Sequence, residues 1–158
     1  LRALDDAEAL TDLLADDRLN AVCLGPGLGT THSTRNMVNA VLAAARSTVL
    51  DADALTTFAD APEALFERLH SDCVLTPHAG EFARLFPDIA EKLAEPTTRG
   101  PAYSKLDATR DAAQRAGCTV LFKGPDTVIA NQHGEARINS AYYDRKAPWL
   151  ATAGAGDE

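Results

Sequence analysis

Ala21-Val22-Cys23-Leu24-Gly25-Pro26-Gly27-Leu28-Gly29, continued through Ser33 to Leu50 and then Asp51-Ala52-Asp53, is the stretch that decides the fold. A short apolar run stops at a glycine cluster. Ser33 can then cap a helix reaching about Ala45, because Met37, Val38, Val41, Leu42 and Ala45 form one stripe. Thr48-Val49-Leu50 is a second short apolar run, of the buried-strand type, and it ends at Asp51. Strand, helix, strand in this order is the signature of an α/β fold with a largely parallel sheet.

The same alternation extends in both directions. Upstream, residues 5–16 read as a helix with an Asp-rich first turn and Ala7, Leu10, Leu13 and Leu14 on one face. Downstream, residues 53–58 and 62–69 look helical, with Pro62 suited to a first turn. Cys73-Val74-Leu75 is the next strand, ending at Thr76-Pro77. A helix over 79–86 follows, then a looser acidic stretch to Pro96 and a loop over 97–101. Ser104-Lys105-Leu106-Asp107 resembles a capping box with Asp in place of Glu. It opens a helix to about Ala116, which Gly117 stops. Strands over 119–122 and 127–130 are joined by a tight Gly124-Pro125-Asp126 turn, and 136–139 is a further strand. The tight turn predicts an antiparallel edge on a mostly parallel central sheet flanked by helices. Residues 140–153 carry no regular signal. With no repeat, low-complexity tract or interior linker, residues 1–158 read as a single domain.

Composition narrows the function classes. The chain has 158 residues, 46% hydrophobic and 24% charged, which is ordinary globular usage. Its 15 basic and 23 acidic side chains give a net charge of −8, which argues against a nucleic-acid partner. A nucleotide stays possible, because a small phosphate site needs only local amides and one or two cations. No apolar run approaches the roughly 20 residues of a membrane helix. The N-terminus turns acidic at once, so it does not read as a signal peptide. Without an initiator Met, the chain is expected to begin inside a longer protein. Cys23, Cys73 and Cys118 form no CxxC or Cys/His cluster. They read as small buried hydrophobes of a reducing compartment, with the cytoplasm as the expected location.

In open α/β sheets, ligands bind at the carboxyl ends of the strands. Gly25-Pro26-Gly27-Leu28-Gly29 there is either a ligand loop or a tight structural turn, at even weight. Asp51 and Asp53 can hold a metal–nucleotide complex or orient a neighbour; alternatively Asp53 is a helix N-cap, the reading its position favours. Thr76-Pro77-His78-Ala79-Gly80-Glu81 places one His and one Glu at a helix mouth. His78 can donate to a substrate oxygen, and its place beyond a strand end favours that role over helix-start chemistry. Lys123-Gly124-Pro125-Asp126-Thr127 offers a cation, turn amides and a hydroxyl, or is simply a polar hairpin turn. Ala153-Gly154-Ala155-Gly156-Asp157 pairs convergent amides with a carboxylate, as phosphoryl transfer requires, or is a plain tail.

Taken in order, GPGLG (25–29), LDADAL (50–55), LTPHAGEF (75–82), KGPDT (123–127) and AGAGD (153–157) resemble the ADP- or ATP-dependent NAD(P)H-hydrate dehydratases of the ribokinase-like superfamily. The resemblance runs from about Ala21 to Asp157. It implies repair of NADH or NADPH damaged by hydration: a nucleotide phosphate is transferred to the ring hydroxyl, and phosphate then leaves. It makes Asp157 the base, with the amides of Gly154, Ala155 and Gly156 as anion hole. Lys123, Gly124, Pro125, Asp126, Thr127 and Gly156 would contact the nucleotide. Gly27, Gly29, His78 and Asp157 would line the hydrated dinucleotide, and Asp51 and Asp53 would support the site or its Mg²⁺. The resemblance also implies a homo-oligomer, a tetramer among the options. Ala155 departs from the Thr, Ser or Gly usual at its position and matches many sugar and vitamin kinases. Glu158 stands where the family motif opens a helix. The chain is therefore expected to be the central portion of a larger domain. A hydroxyethylthiazole-type small-molecule kinase and an inactive fragment are the alternatives.

Overall fold

Leu24, Leu50 and Leu75 stand side by side on neighbouring strands, and the rest of the core is assembled on the face they define. The computed structural model describes residues 4, 6–96 and 100–141. In chain order these form α1 (Ala7–Leu14), β1 (Ala21–Leu24), α2 (His32–Ala43), β2 (Ser47–Leu50), α3 (Asp53–Thr56) and α4 (Pro62–Phe66). Then come β3 (Cys73–Leu75), α5 (Ala79–Leu85), α6 (Pro87–Ala94), α7 (Lys105–Ala116), β4 (Thr119–Phe122), β5 (Asp126–Ala130) and β6 (Ala136–Ser140). The sheet runs β1-β2-β3-β4-β5-β6. The first four strands are parallel, and β5 and β6 close one side as an antiparallel meander. The expected α/β class, the parallel majority, the antiparallel edge and the flanking helices are all present.

The described helices cover one face. Leu50, Leu75, Val120 and Ala130, which share that face, are buried with Phe58, Leu65, Phe82 and Leu85 from the α3 to α5 region. Phe82 stacks on Phe122 with ring centres 4.0 Å apart, and Phe66 stacks on Phe86 at 5.1 Å. Each such buried side chain contributes about 1.5–3 kcal/mol. Ala108, Ala112, Ala113 and Ala116 give α7 a smooth buried side, so it lies close against the β4–β5 ribbon. A smaller cluster of Leu10, Leu14 and Val41 joins α1 to α2 beside β1. The opposite sheet face carries Cys23, Val49, Val74, Leu121 and Ile129. Among the described residues it is only partly covered, with Ile129 37% exposed.

Local chemistry explains the places where element ends differ from expectation. The N-cap of α2 is Thr31, whose side chain accepts from the Thr34 amide, not Ser33, which lies inside the helix. α3 starts at Asp53 but has Ala52 at its cap position, so Asp53 is not an N-cap. The acidic stretch after α5 is a helix, α6, with Pro87 in its first turn and Ile89 buried. Its charged residues mask an apolar side formed by Ile89, Ala90 and Leu93. Asp126 belongs to β5, which shortens the turn before it. The capping box of α7 is complete: Ser104 accepts from the Asp107 amide, and Asp107 accepts from the Ser104 amide.

Candidate functional site

Backbone hydrogen bonds continue past the strand ends and set the carboxyl edge in a row. The Asp51 amide donates to Leu24 O, the Thr76 amide to Leu50 O, and the Lys123 amide to Pro77 O at 2.9 Å. Each loop that follows a strand is therefore tied to its neighbour. Gly25 shows how tightly: at φ +148°, a Cβ there would sit 1.8 Å from Asp51 O. The first glycine of the cluster is thus required by close approach of one loop to the next.

The two aspartates act in different directions. The Asp53 side chain reaches back across the edge and accepts from the Gly29 amide at 2.8 Å. The buried Thr34 hydroxyl donates to Gly29 O at 2.6 Å, so the end of the glycine loop is clamped from both sides. Asp51 pairs with Lys123, Oδ1 to Nζ 2.7 Å, across 72 positions of sequence. Burial by itself would raise the Asp51 carboxyl. Hydrogen bonds from Lys123 and Thr76, and the Lys123 charge, outweigh it and hold the group below its ordinary 3.8. Between the two aspartates, Ala52 sits at φ 46°, ψ −117°, a conformation that favours glycine.

His78 is the N-cap of α5. Its Nδ1 accepts from the amides of Gly80 (3.0 Å) and Glu81 (3.4 Å). With Nδ1 as acceptor, the ring proton belongs on Nε2, which faces Glu81 Oε1 at 3.2 Å. The Glu81 carboxylate is buried and also accepts from the His78 amide at 2.9 Å. Helix-start chemistry, weighed below a substrate role from sequence, is therefore present in full. The ring itself stays 56% exposed at the edge, where it can still line a ligand.

In the turn after β4, the Thr127 hydroxyl donates to Gly124 O at 3.1 Å, which leaves its oxygen as an acceptor toward solvent. Asp126 accepts from the Ser140 hydroxyl. Lys105, at the first position of α7, places its ammonium on Lys123 O at 3.0 Å and on Asp126 O. From sequence, Lys105 is only part of a helix start. Its partners lie 18 and 21 residues away, and no local pattern announces them. The structure thus brings Gly29, Asp51, Asp53, His78 and Lys123 to one edge, with the 124–127 turn adjoining Lys123. Gly27 lies in the same loop at φ +76° with open space around it. Gly154, Ala155, Gly156 and Asp157 lie outside the described residues. Among the described residues there is no group of three or more His, Cys, Asp or Glu side chains able to hold a metal.

Comparison with known proteins identifies the relatives of this chain. A family model described as NAD(P)H-hydrate dehydratase, of the carbohydrate-kinase type, matches residues 2–158. A bifunctional NAD(P)H-hydrate repair enzyme of Mycobacterium tuberculosis is 38% identical over 143 residues, covering 90% of this chain and 27% of that protein. The chain therefore spans about a quarter of the length of that curated relative. The ADP/ATP-dependent NAD(P)H-hydrate dehydratase of Bacillus subtilis, co-crystallised with ATP and Mg²⁺ and soaked with CoA, superposes with a TM-score of 0.61 at 26% identity. That match covers 87% of this chain and 44% of the Bacillus protein. A ribokinase-like superfamily protein of Enterococcus faecalis shares the fold, with a TM-score of 0.66 at 24% identity over 94% of this chain and 46% of its own.

Proposed function

Because this chain belongs to the NAD(P)H-hydrate dehydratase family, we propose that its protein dehydrates hydrated NADH or NADPH at the expense of ADP or ATP. The observation that carries the reading is the Asp51–Lys123 pair, which joins the edge of the Gly25–Gly29 loop to the turn holding Lys123. A dinucleotide on one side and a nucleoside polyphosphate on the other would meet at that junction. Hydroxide is a poor leaving group, and phosphorylation solves that problem. The P–O bond to the nucleotide breaks as a new P–O bond forms to the ring hydroxyl, whose proton goes to Asp157. Phosphate then departs with the C–O electron pair. The neighbouring ring carbon gives up a proton, and the double bond returns. The amides of Gly154, Ala155 and Gly156 would hold the transferred group. Lys123 through Thr127 would hold the nucleotide, and Gly27, Gly29 and His78 the substrate.

Asp51 and Asp53 do not make a magnesium cage. Asp51 is already engaged by Lys123 and Thr76, and one oxygen of Asp53 by the Gly29 amide. The other Asp53 oxygen would suit an ion that arrives on the nucleotide's phosphates and keeps most of its water. When bound, Mg²⁺ would neutralise phosphate charge. A homo-oligomer in the cytoplasm is part of the same reading. Among the described residues no helix is long and apolar enough to cross a membrane.

The test is incubation of the intact protein with hydrated NADH, ADP and Mg²⁺. Recovery of the dihydronicotinamide absorbance is expected. Phosphorylation of a small alcohol without that recovery would replace the dehydratase with a kinase. Asp157→Asn is expected to abolish turnover while calorimetry still registers ADP binding. Wild-type turnover in that variant would remove Asp157 from the base role.

A further inference from the structure

The turn from Lys123 to Asp126 has four carbonyl oxygens, and each has a donor. Lys123 O and Asp126 O take the Lys105 ammonium. Gly124 O takes the Thr127 hydroxyl, and Pro125 O takes the Ala141 amide at 2.8 Å. A turn whose oxygens are all engaged offers an incoming polyanion its remaining amides and the Lys123 ammonium in place of a negative rim.

Lys105 stands out among these donors. It places a positive charge in the first turn of α7, where the helix dipole already disfavours cations. Burial pulls its ammonium below the ordinary lysine value, against the raising effect of the Asp126 charge. What holds it is specific. The ammonium lies 4.2 Å from the centre of the Phe122 ring, and Phe122 is itself stacked on Phe82. Gly124, at φ +157°, leaves room for it: a Cβ at 124 would stand 2.7 Å from Lys105 Nζ. Helix start, strand end and turn glycine are fitted around one charged atom.

We infer that Lys105 is the positioning residue of the nucleotide site, its ammonium fixing the 123–126 turn so that Lys123 and the turn amides are set for the phosphates. The inference rests on the nucleotide reading of residues 123–127. It adds a second cation beside the turn, which helps to explain how a chain of net charge −8 can hold a polyphosphate.

The test is Lys105→Met in the intact protein, which keeps the stem over Phe122 and removes the donors. Hydrogen exchange of the Gly124, Asp126 and Thr127 amides is expected to accelerate. Calorimetry should show a rise of roughly tenfold in the Kd for ADP, since hydrogen bonds to a charged group are lost. The KM for ADP should rise while the KM for hydrated NADH stays put. Unchanged exchange or unchanged ADP affinity would overturn the assignment. Lys105→Arg, which restores donors, should recover ADP affinity. A folded Arg variant as weak as the Met variant would also overturn it. Failure of the wild-type protein to bind ADP would instead overturn the nucleotide reading. The exchange measurement needs no ligand and would then decide by itself whether Lys105 holds the turn.

Discussion

At the residue scale, the carboxyl edge stores strain beside its charges. Ala52 holds φ 46°, ψ −117° between two aspartates that both make long-range contacts. Such a conformation costs a residue with a Cβ on the order of 1–3 kcal/mol. Glycine relieves it but loosens the unfolded chain by a smaller amount. Ala52→Gly is therefore expected to raise stability by about 1 kcal/mol, read as a higher urea midpoint. Asp51 gives a prediction of opposite direction with pH. Its carboxyl lies below the ordinary 3.8 in the folded state. Its contribution to stability is then complete above the unfolded value and is lost as pH falls through the folded one. Wild-type protein should lose more stability than Asp51→Asn as pH is lowered past about 4. Equal acid limbs in the two denaturation series would contradict the pairing with Lys123.

At the element scale, α5 depends on its first turn. It has seven residues, its Glu81 is buried, and His78 and Glu81 satisfy one another's amides. Glu81→Ala removes half of that exchange and is expected to cost about 1–2 kcal/mol in chemical denaturation. Elements of this kind divide what could be read in advance from what could not. β1, β3 and β4 match their expected bounds because each is a short apolar-rich run stopped by Gly25, Thr76 or Lys123. Sequence points to Ser33 as the cap of α2 and the structure uses Thr31, because the fold of the Gly29 loop decides which hydroxyl meets the helix start. α6 reads from sequence as a looser acidic stretch because Pro87 breaks the pattern right after α5 and Asp88 and Glu91 stand out, while burial of Ile89 decides its structure. The site residues 29, 51, 53, 78 and 123 could be nominated from their positions after strands. Their partners could not. Asp53–Gly29 and Asp51–Lys123 span 24 and 72 positions, and nothing local encodes either pairing.

At the scale of the whole molecule, the sheet is covered unevenly. The face bearing Leu24, Leu50 and Leu75 is buried beneath helices, whereas Cys23 and Ile129 on the other face are exposed. Among the described residues, Val49, Val74 and Leu121 on that face are only partly buried. As an isolated polypeptide, the 158-residue chain is expected to bind an apolar fluorescent dye under native conditions. Val49→Lys and Val74→Lys, both on that face, should reduce the fluorescence without loss of helical circular dichroism. Dye binding that ignores both substitutions would locate the apolar surface elsewhere.

The linear order of the strands also sets a sequence of events in time. α7, β4, β5 and β6 are consecutive and lie against one another, so their contacts close short loops. The turn that Lys105 grips lies entirely within that unit. The parallel strands β1 to β3 join only through crossovers, and loop closure makes such pairings slower. During folding, the 123–126 turn is therefore expected to assemble before the parallel strands pair. The link from Asp51 to Lys123, which spans 72 positions, is expected to form after that turn. Backbone amides in β4 and β5 should accordingly gain protection before those of β1 in pulse-labelled refolding.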